Sequence, residues 1–390
     1  MDFRFSEEEE RFRQEVREFI KKERRPGLLT RMQPETEEEA EYYREMKLKL
    51  GAKSWHSLSW PKEFGGQGNL VKQFIVSEEF YFSQTPGVDI VSDNMVAPVL
   101  IQFGTEEQKR EHLPKIAQGE LTWCQGFSEP GAGSDLFAMS TRAVEQDDLF
   151  IINGQKVWTS GASISDWIFL LARTEPDPAL KHRGISAFLV DLRMPGVTVH
   201  PLQTFAGAFY AEDFFDNVKV PKKNLVGKKN QGAQVSLAML GHERSGIHRI
   251  KYGQANLARV IEYAKETKRD GIPLIEHPLI QQKLANLVIE GEVAQLFGYR
   301  VLALQMQGKE VDVESSMSRL AGTLFQQHVG STAMEILGQY GLLEPGSKLA
   351  ILQGALEQEY LWSVTATVGA GTAEIQRNTI AVRGLNLPRA

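Results

Sequence analysis

The stretch from Trp123 to Asp135 has the composition of a loop that binds a ligand through its backbone. It carries a proline and two glycines within four residues: Pro130, Gly131 and Gly133. These residues exclude the interior of a regular helix or strand. A glycine-rich turn exposes N–H groups that can surround an anionic phosphate or a polar ring edge. The hydroxyls of Ser128 and Ser134 add donors and acceptors. The alternative is an ordinary surface turn.

A second stretch, from Leu240 to Ile247, combines an acid and a base with helical spacing. Leu240 and Ile247 lie seven residues apart, which predicts one face of a single helix. Glu243 and Arg244 follow Leu240 by three and four residues and fall on the same face. Burying such groups costs free energy unless they are paired. The pattern indicates either a structural ion pair or a carboxylate whose pKa burial raises towards proton transfer.

The composition is that of a globular protein without a general affinity for nucleic acid. The 390 residues are 42% apolar and 24% charged, and the net charge is −6. The single cysteine, Cys124, excludes an intrachain disulfide. The eight histidines form no His-x-His or His-Glu-x-x-His pair, so we expect no metal site. The acidic N-terminus is unlike a secretory signal, and no run reaches about 18 apolar residues. We therefore expect a cytoplasmic protein without a membrane span.

Residues 1–120 predict a mainly helical domain. Two helix starts carry the capping-box pairing of Ser or Thr with Glu or Gln three residues later: Ser6 with Glu9, and Thr105 with Gln108. Another helix is predicted from Glu37 to Leu50, ended by Gly51.

Residues 121–230 predict a β domain, because the apolar period changes near residue 121. Asn153-Gly154 is a dipeptide typical of a hairpin turn. Short apolar runs predict strands at 167–172, 184–192 and 213–220. Helical periodicity returns in residues 231–390 and predicts a bundle. Its helical stripes are Ala294, Phe297, Val301 and Leu304, and Met317, Leu320 and Leu324.

Two motifs resemble those of the acyl-CoA dehydrogenase family, and the resemblance extends over nearly the whole chain. Ser128 to Asp135 resembles the family's flavin-contacting loop, and Phe150 to Ser160 resembles its next flavin strand. The resemblance implies an α+β fold with an N-terminal helical domain, a middle β domain and a C-terminal helical bundle. It also implies FAD as the cofactor. The matching flavin contacts are Gln125, Phe127, Ser128, Gly133, Ser134, Trp158, Thr159 and Ser160.

The resemblance further implies the 2,3-dehydrogenation of an acyl-CoA thioester. A carboxylate removes the α-proton, hydride leaves the β-carbon for flavin N5, and donors face the thioester oxygen. Many members place the base directly before Gly-Thr near the C-terminus, where this chain has Ala370. Alanine has no proton acceptor, although its backbone N–H still matches the donor role. Other members carry the base where Glu243 lies, and Arg244 beside it would hold the local electrostatics or the flavin edge.

The resemblance also predicts partners. Family members complete the adenine side of the flavin site from a neighbouring subunit, and the matching residues are Gly338, Gln339, Thr372 and Glu374. We therefore expect a homotetramer or a heterotetramer, with electron-transferring flavoprotein or a similar acceptor. The family's Arg-Phe-Gly element lacks its Phe in the segment from Glu266 to Pro273, so either Lys268 or Arg269 compensates or a different partner chain supplies the contact. Relatives that act on sterol side chains form two-chain assemblies.

Two other functions are compatible with the same sequence. One is a flavin monooxygenase or oxidase, in which Glu243 would be structural. The other is a non-catalytic subunit of a heteromeric dehydrogenase. Gly241 and Gly246 flank Glu243 and favour a branched, cyclic or long acyl group.

Overall fold

The chain folds into helices and one large sheet. The computed structural model describes residues 4–25, 28, 34, 36–242 and 246–388. The α-helices in that part of the chain are α1 (Glu7–Glu23), α2 (Glu37–Ala52), α3 (Leu70–Ser83), α4 (Ala97–Phe103), α5 (Glu106–Ala117), α6 (Gly232–His242), α7 (Ile247–Glu266), α8 (Pro278–Met306), α9 (Asp312–Leu337), α10 (Ala355–Ala366) and α11 (Ala373–Thr379). A π-helical turn, Ile90–Val96, leads into α4.

The strands of the described residues form an eight-stranded mixed sheet and a separate two-stranded hairpin. They are β1 (Trp123–Gly126), β2 (Arg142–Gln146), β3 (Leu149–Val157), β4 (Trp167–Arg173), β5 (Ile185–Asp191), β6 (Val197–Thr204), β7 (Gly207–Pro221), β8 (Leu225–Val226), β9 (Lys268–Arg269) and β10 (Ile272–Pro273). The order across the large sheet is β6-β7-β3-β2-β4-β5-β8, and β1 pairs in parallel with β4. Helices, sheet and helices follow one another along the chain, as the predicted α+β class requires.

Both predicted capping boxes are present. The Ser6 N–H donates to the Glu9 carboxylate at 2.7 Å, and the Glu9 N–H donates to the Ser6 hydroxyl at 3.3 Å. The same reciprocal pair forms between Thr105 and Gln108. The predicted end of α2 is wrong, because the helix runs through Gly51. A Cβ at Gly51 would lie 2.1 Å from the Gln118 carbonyl oxygen, so close packing explains this glycine better than helix termination does.

The predicted hairpin at Asn153-Gly154 is also wrong, because both residues lie inside β3. The strand has a bulge between Ile152 and Gly154 where it pairs with β7. The Asn153 side chain accepts a bond from the Asn217 N–H across the two strands at 2.8 Å. A Cβ at Gly154 would lie 2.4 Å from Thr141 Oγ1. Cross-strand contacts at a bulge therefore account for this dipeptide.

The chain divides into two compact units, and one of them contains the sheet. This unit comprises residues 31–69 and 86–243. Its predicted strands at 167–172 and 184–192 are confirmed as β4 and β5, and the strand at 213–220 lies within β7. Phe169 and Leu171 of β4 face one apolar core, whereas Ile168 and Leu170 face another. Because both faces of β4 are buried, its sequence is a continuous apolar run.

The other unit comprises residues 1–30, 70–85 and 244–390. In its helical core, α9 contributes Phe325, Val329 and Ala333. The predicted stripe of Met317, Leu320 and Leu324 lies on this helix and is half-buried. On α8, Ala294 and Val301 of the predicted stripe are buried. No helix among the described residues is both long enough and apolar enough to cross a membrane.

Candidate active site

The loop after β1 presents free backbone donors. It turns between Glu129 and Ala132, whose backbone groups bond each other in both directions at 2.9 and 3.0 Å. Beyond the turn, Gly133 and Ser134 are exposed. Within the described part of the chain, neither of their N–H groups has a hydrogen-bond acceptor. Two adjacent unpaired donors suit an anionic or polar ligand edge.

The remaining loop residues are held more tightly. Phe127 is buried and packs edge-on against Phe169, with 6.4 Å between ring centroids. Its side chain thus belongs to the core below the loop. Gln125 and Ser128 are half-buried, so part of each stays accessible.

A buried ion pair joins this loop to β3. Lys156 Nζ donates to Glu129 Oε1 at 2.8 Å and to the Phe127 carbonyl oxygen at 3.1 Å. The same carboxylate accepts bonds from the N–H groups of Ser140 and Thr141 at 2.6 and 3.0 Å. Burial alone would raise the pKa of Glu129, but Lys156 and the other donors bring it to about 2. Burial lowers the pKa of Lys156 to about 8, so its ammonium persists at neutral pH.

The residue directly after β3 is an exposed tryptophan in an unusual backbone conformation. Trp158 has φ +63° and its side chain is 55% exposed. Its ring lies edge-on to Tyr210, with 5.6 Å between centroids. The flanks are fixed, because the Val157 N–H donates to the Ser128 carbonyl and Thr159 exchanges backbone bonds with Ala211. A left-handed, non-glycine residue of this kind costs on the order of 1–3 kcal/mol and is typical of ligand sites.

Ala370, like Trp158, is a non-glycine residue in the left-handed backbone region. Ala370 is exposed and has φ +49°. The Arg319 guanidinium donates to the carbonyl oxygens on both sides of it, those of Gly369 and Gly371. The Ala370 N–H itself has no acceptor among the residues described. The arrangement fixes the peptide planes around a free donor.

The residues predicted for the adenine half of the cofactor lie at helix ends. Thr372 is the N-cap of α11 and accepts the Ile375 N–H at 3.2 Å. Glu374, in the first turn of α11, is exposed and lies 3.6 Å from Arg377. Gly338 ends α9 with φ +59°, and Gln339 beside it is exposed. Gly338, Gln339 and Glu374 are therefore exposed to solvent, whereas Thr372 is half-buried.

The predicted catalytic pair, Glu243 and Arg244, lies outside the described residues. The single helix on which their prediction was based is not formed. α6 ends at His242 and α7 begins at Ile247, after Gly246 with φ +68°. Leu240 packs with the core of the sheet-containing unit, and Ile247 packs with Phe74 and Leu302 of the helical unit. The argument that Leu240 and Ile247 share one helical face is therefore wrong. The left-handed backbone at residue 246 favours glycine. This conformation explains Gly246 without the predicted role in widening a substrate pocket.

Two segments from the sheet-containing unit fit the flavin of the predicted cofactor. The loop offers unpaired N–H groups, and the adjoining strand offers an exposed indole. The buried Lys156 holds these two segments together. Free backbone donors on one segment and an exposed aromatic ring on the other suit a planar ligand with polar edges, because a ring can stack on the ligand and donors can bond its edge.

Family models match most of the chain. The acyl-CoA dehydrogenase N-terminal domain matches residues 6–120, the middle domain matches 124–218, and the C-terminal domain matches 230–385. The chain belongs to the acyl-CoA dehydrogenase family. It is therefore an oxidoreductase with that family's fold, and its relatives are flavoproteins that use FAD.

Several individual proteins resemble this chain over nearly its whole length. Acyl-CoA dehydrogenase FadE26 from Mycobacterium tuberculosis is 35% identical, and the alignment covers 96% of this chain and 97% of that protein. In the crystal structure of the ChsE4-ChsE5 complex from M. tuberculosis, the matched chain is 34% identical with a TM-score of 0.88, and both chains are covered completely. The Tcur3481-Tcur3483 steroid ACAD gives 32% identity and a TM-score of 0.89, also with complete coverage of both chains.

Within this family fold, sequence reasoning missed the residues that position the site. Lys156, Glu129 and Arg319 were not singled out, although the first two lie within the quoted motifs. A signal existed for Lys156, because an inward-facing lysine in a buried strand needs a carboxylate partner. No signal existed for Arg319, whose targets are backbone carbonyls 50 or more residues away.

Proposed function

We propose that this chain is an FAD-dependent acyl-CoA dehydrogenase that oxidises a thioester between its α- and β-carbons. Bound FAD would supply the hydride acceptor at N5. The observation that carries the proposal is the pair of segments that Lys156 joins: one carries the exposed ring and strained backbone of Trp158, and the other carries free backbone donors. Gln125, Phe127, Ser128, Gly133 and Ser134 would line the flavin from the loop. Trp158, Thr159 and Ser160 would line it from the segment that follows β3.

Glu243 would remove the α-proton in this mechanism. Ala370 cannot do so because it has no acceptor, but its free N–H is suited to donate to the thioester oxygen as negative charge develops there. Arg319 supports this role, since it fixes the carbonyl groups on both sides of Ala370. Arg244 would stabilise the charge of the neighbouring carboxylate or contact the flavin edge.

The adenine side of FAD would be completed across subunits. Gly338, Gln339, Thr372 and Glu374 are assigned to it, and the exposure of Gly338, Gln339 and Glu374 supports contacts beyond this chain. We infer a tetramer, built either of identical chains or of two chain types. The resemblance to the ChsE4-ChsE5 complex supports the second composition.

The substrate class and the setting complete the proposal. The Tcur3481-Tcur3483 relative is named a steroid ACAD, which supports a bulky, cyclic or branched acyl group for this chain. An electron-transferring flavoprotein or similar acceptor would reoxidise the flavin. We propose that the reaction takes place in the cytoplasm. We also propose three domains, with boundaries at residues 1–120, 121–230 and 231–390.

The proposal is tested by cofactor content followed by reduction. The purified protein, alone or with a partner chain, should carry non-covalent FAD. Adding CoA thioesters of straight, branched and cyclic acids without oxygen should bleach the flavin, fastest with a bulky acyl group. A well-folded protein that neither contains nor takes up FAD would identify a non-catalytic subunit. An FAD-loaded protein that no acyl-CoA reduces would instead support a monooxygenase or oxidase.

A further inference from the structure

A buried carboxyl group lies in the core behind the candidate flavin strand. Asp213 is on β7, and its alternate neighbours Ala211 and Phe215 face the apolar core on that side of the sheet. The Asp213 side chain is fully buried, at 0% exposure. Neither of its carboxylate oxygens has a hydrogen-bond partner within the described part of the chain. A carboxyl group in such surroundings requires an explanation, because burying it unpaired costs free energy.

The only cation facing Asp213 among the described residues is already engaged elsewhere. Lys156 lies opposite Asp213 in the β3–β7 register, but its ammonium bonds Glu129 and the Phe127 carbonyl. From β6, Val199 stands opposite Asp213. From β1, the Cys124 thiol faces it, and burial raises the pKa of that thiol, so it is neutral. An ionised Asp213 therefore leaves this cluster with one excess negative charge.

An unpartnered hydroxyl on the segment after β3 acts on the Asp213 carboxyl group. Thr159 is 1% exposed, and its Oγ1 also lacks a partner with hydrogen-bond geometry among the described residues. Thr159 lies between Trp158 and Ser160, and all three residues are assigned to the flavin. Its backbone is bonded to Ala211, two residues from Asp213. The segment assigned to the flavin is thus hydrogen-bonded directly to the strand that carries Asp213.

The protonation state of Asp213 can change near neutral pH. Burial raises the pKa of its carboxyl group to about 6, against the opposing influence of the Thr159 hydroxyl and the Lys156 ammonium. A protonated Asp213 is a neutral group that can donate to Thr159 Oγ1. The ionised form is an uncompensated charge.

We propose that Asp213 takes up a proton from solvent when the flavin is reduced, and so couples buried charge to the redox state of the cofactor. This inference rests on the proposed function. Reduction by two electrons and one proton leaves the flavin with one added negative charge. That charge destabilises a second anion in the same low-dielectric region. Asp213 gains one O–H bond, loses its negative charge and exchanges no electrons.

The coupling is measured by counting protons taken up per two electrons in FAD-loaded protein. The midpoint potential is recorded across a pH series from 5 to 9 in wild type and in Asp213→Asn. The amide keeps the shape of the carboxyl group and cannot titrate. In wild type, the count should be near one at the acidic end and rise towards two above about pH 6. In Asp213→Asn it should stay near one throughout.

Two further variants sharpen the experiment. Asp216→Asn changes an exposed carboxylate on the same strand and should reproduce the wild-type profile. Thr159→Val removes the hydroxyl that favours the ionised form, so the two-proton window should move to higher pH. This shift is available even if Asp213→Asn fails to fold.

A second readout does not depend on FAD. In the apoprotein, the native state binds a proton at Asp213 more tightly than the unfolded chain does. The free energy of unfolding should therefore fall, through this group, as pH rises from about 4 to 6, and Asp213→Asn should lose that fall. Identical proton counts in FAD-loaded wild type and Asp213→Asn, or an unshifted Thr159→Val profile, would overturn the coupling and leave the proposed function intact. A wild-type protein that takes up no FAD would overturn both.

Discussion

Lys156 lies 2.8 Å from the Glu129 carboxylate, and both side chains are buried. The two residues belong to the two segments assigned to the flavin, the loop after β1 and the strand β3. Lys156 also holds the Phe127 carbonyl, and Glu129 holds the backbone of Ser140 and Thr141. This ion pair therefore fixes the position of the loop relative to the strand. It does not need to contact the cofactor to have this effect.

Replacing Lys156 by Met should weaken FAD binding. The variant keeps much of the apolar stem but removes the donor to Phe127 and leaves Glu129 without its cation. We expect the dissociation constant for FAD to rise about tenfold or more, which corresponds to about 1.4 kcal/mol. Titration of the apoprotein with FAD, followed by flavin fluorescence, measures this. Lys219→Met changes an exposed lysine on β7 and serves as the control. Equal FAD affinity in both variants would refute the positioning role.

Glu129→Gln should change how stability depends on acid. The pKa of Glu129 is about 2 in the native state against an ordinary value of 4.5. The native state therefore binds fewer protons than the unfolded state in this window, and the free energy of unfolding falls as pH is lowered through it. At pH 7, the variant should be less stable by roughly 3 kcal/mol, because Lys156 is left buried and unpaired. Urea unfolding from pH 7 to pH 3 should show this deficit shrinking. A deficit independent of pH would contradict the assignment.

Ala370→Gly should stabilise the protein. Glycine tolerates the φ of +49° at this position, whereas alanine is strained there. The gain should be up to about 1 kcal/mol in the free energy of unfolding, and the N–H donor remains in place. The matched control is Ala321→Gly in the interior of α9, which should destabilise by about 0.5–1 kcal/mol. Destabilisation at both positions would show that Ala370 is not strained.

Arg319→Met should slow flavin reduction while leaving FAD in place. Losing the guanidinium frees the carbonyls that flank Ala370, so the N–H between them is no longer oriented. We expect the rate of reduction by acyl-CoA to fall about tenfold or more, with a smaller change in acyl-CoA affinity. Arg319→Lys should recover part of the rate, and Arg300→Met on the exposed side of α8 should have no effect. A loss confined to acyl-CoA affinity would assign Arg319 to binding alone.

Local signals predicted the features that depend on a few neighbouring residues. The capping box at Ser6 and Glu9 needs only four residues, and the run at 167–172 reports burial on both faces of one strand. The failures came from tertiary contacts. Asn153-Gly154 has the composition of a turn, but a bulge opposite β7 uses it. Gly51 has the composition of a helix end, but it packs against Gln118.

In the candidate site, too, local motifs could be predicted from the sequence and tertiary contacts could not. The loop and strand motifs were recognisable because their glycines, prolines and aromatic residue lie close together in sequence. The arrangement that joins them was not, because Lys156 and Glu129 are 27 residues apart and their pairing depends on the sheet. Asp213 gave no sequence signal, since a single aspartate in an alternating strand resembles an outward-facing residue until its register is known.

The central claim is that Glu243 removes the α-proton, and its most direct measurement is anaerobic flavin reduction in Glu243→Gln. The amide keeps the shape of the side chain and removes the base, so FAD content and acyl-CoA binding should stay near wild type. Reduction by the best acyl-CoA of the panel should slow by about 10²-fold or more, the scale of one general base. Glu262→Gln, at an exposed carboxylate on α7, should reduce at the wild-type rate. An unchanged rate in Glu243→Gln would contradict the account, because proton removal would then not depend on this carboxylate.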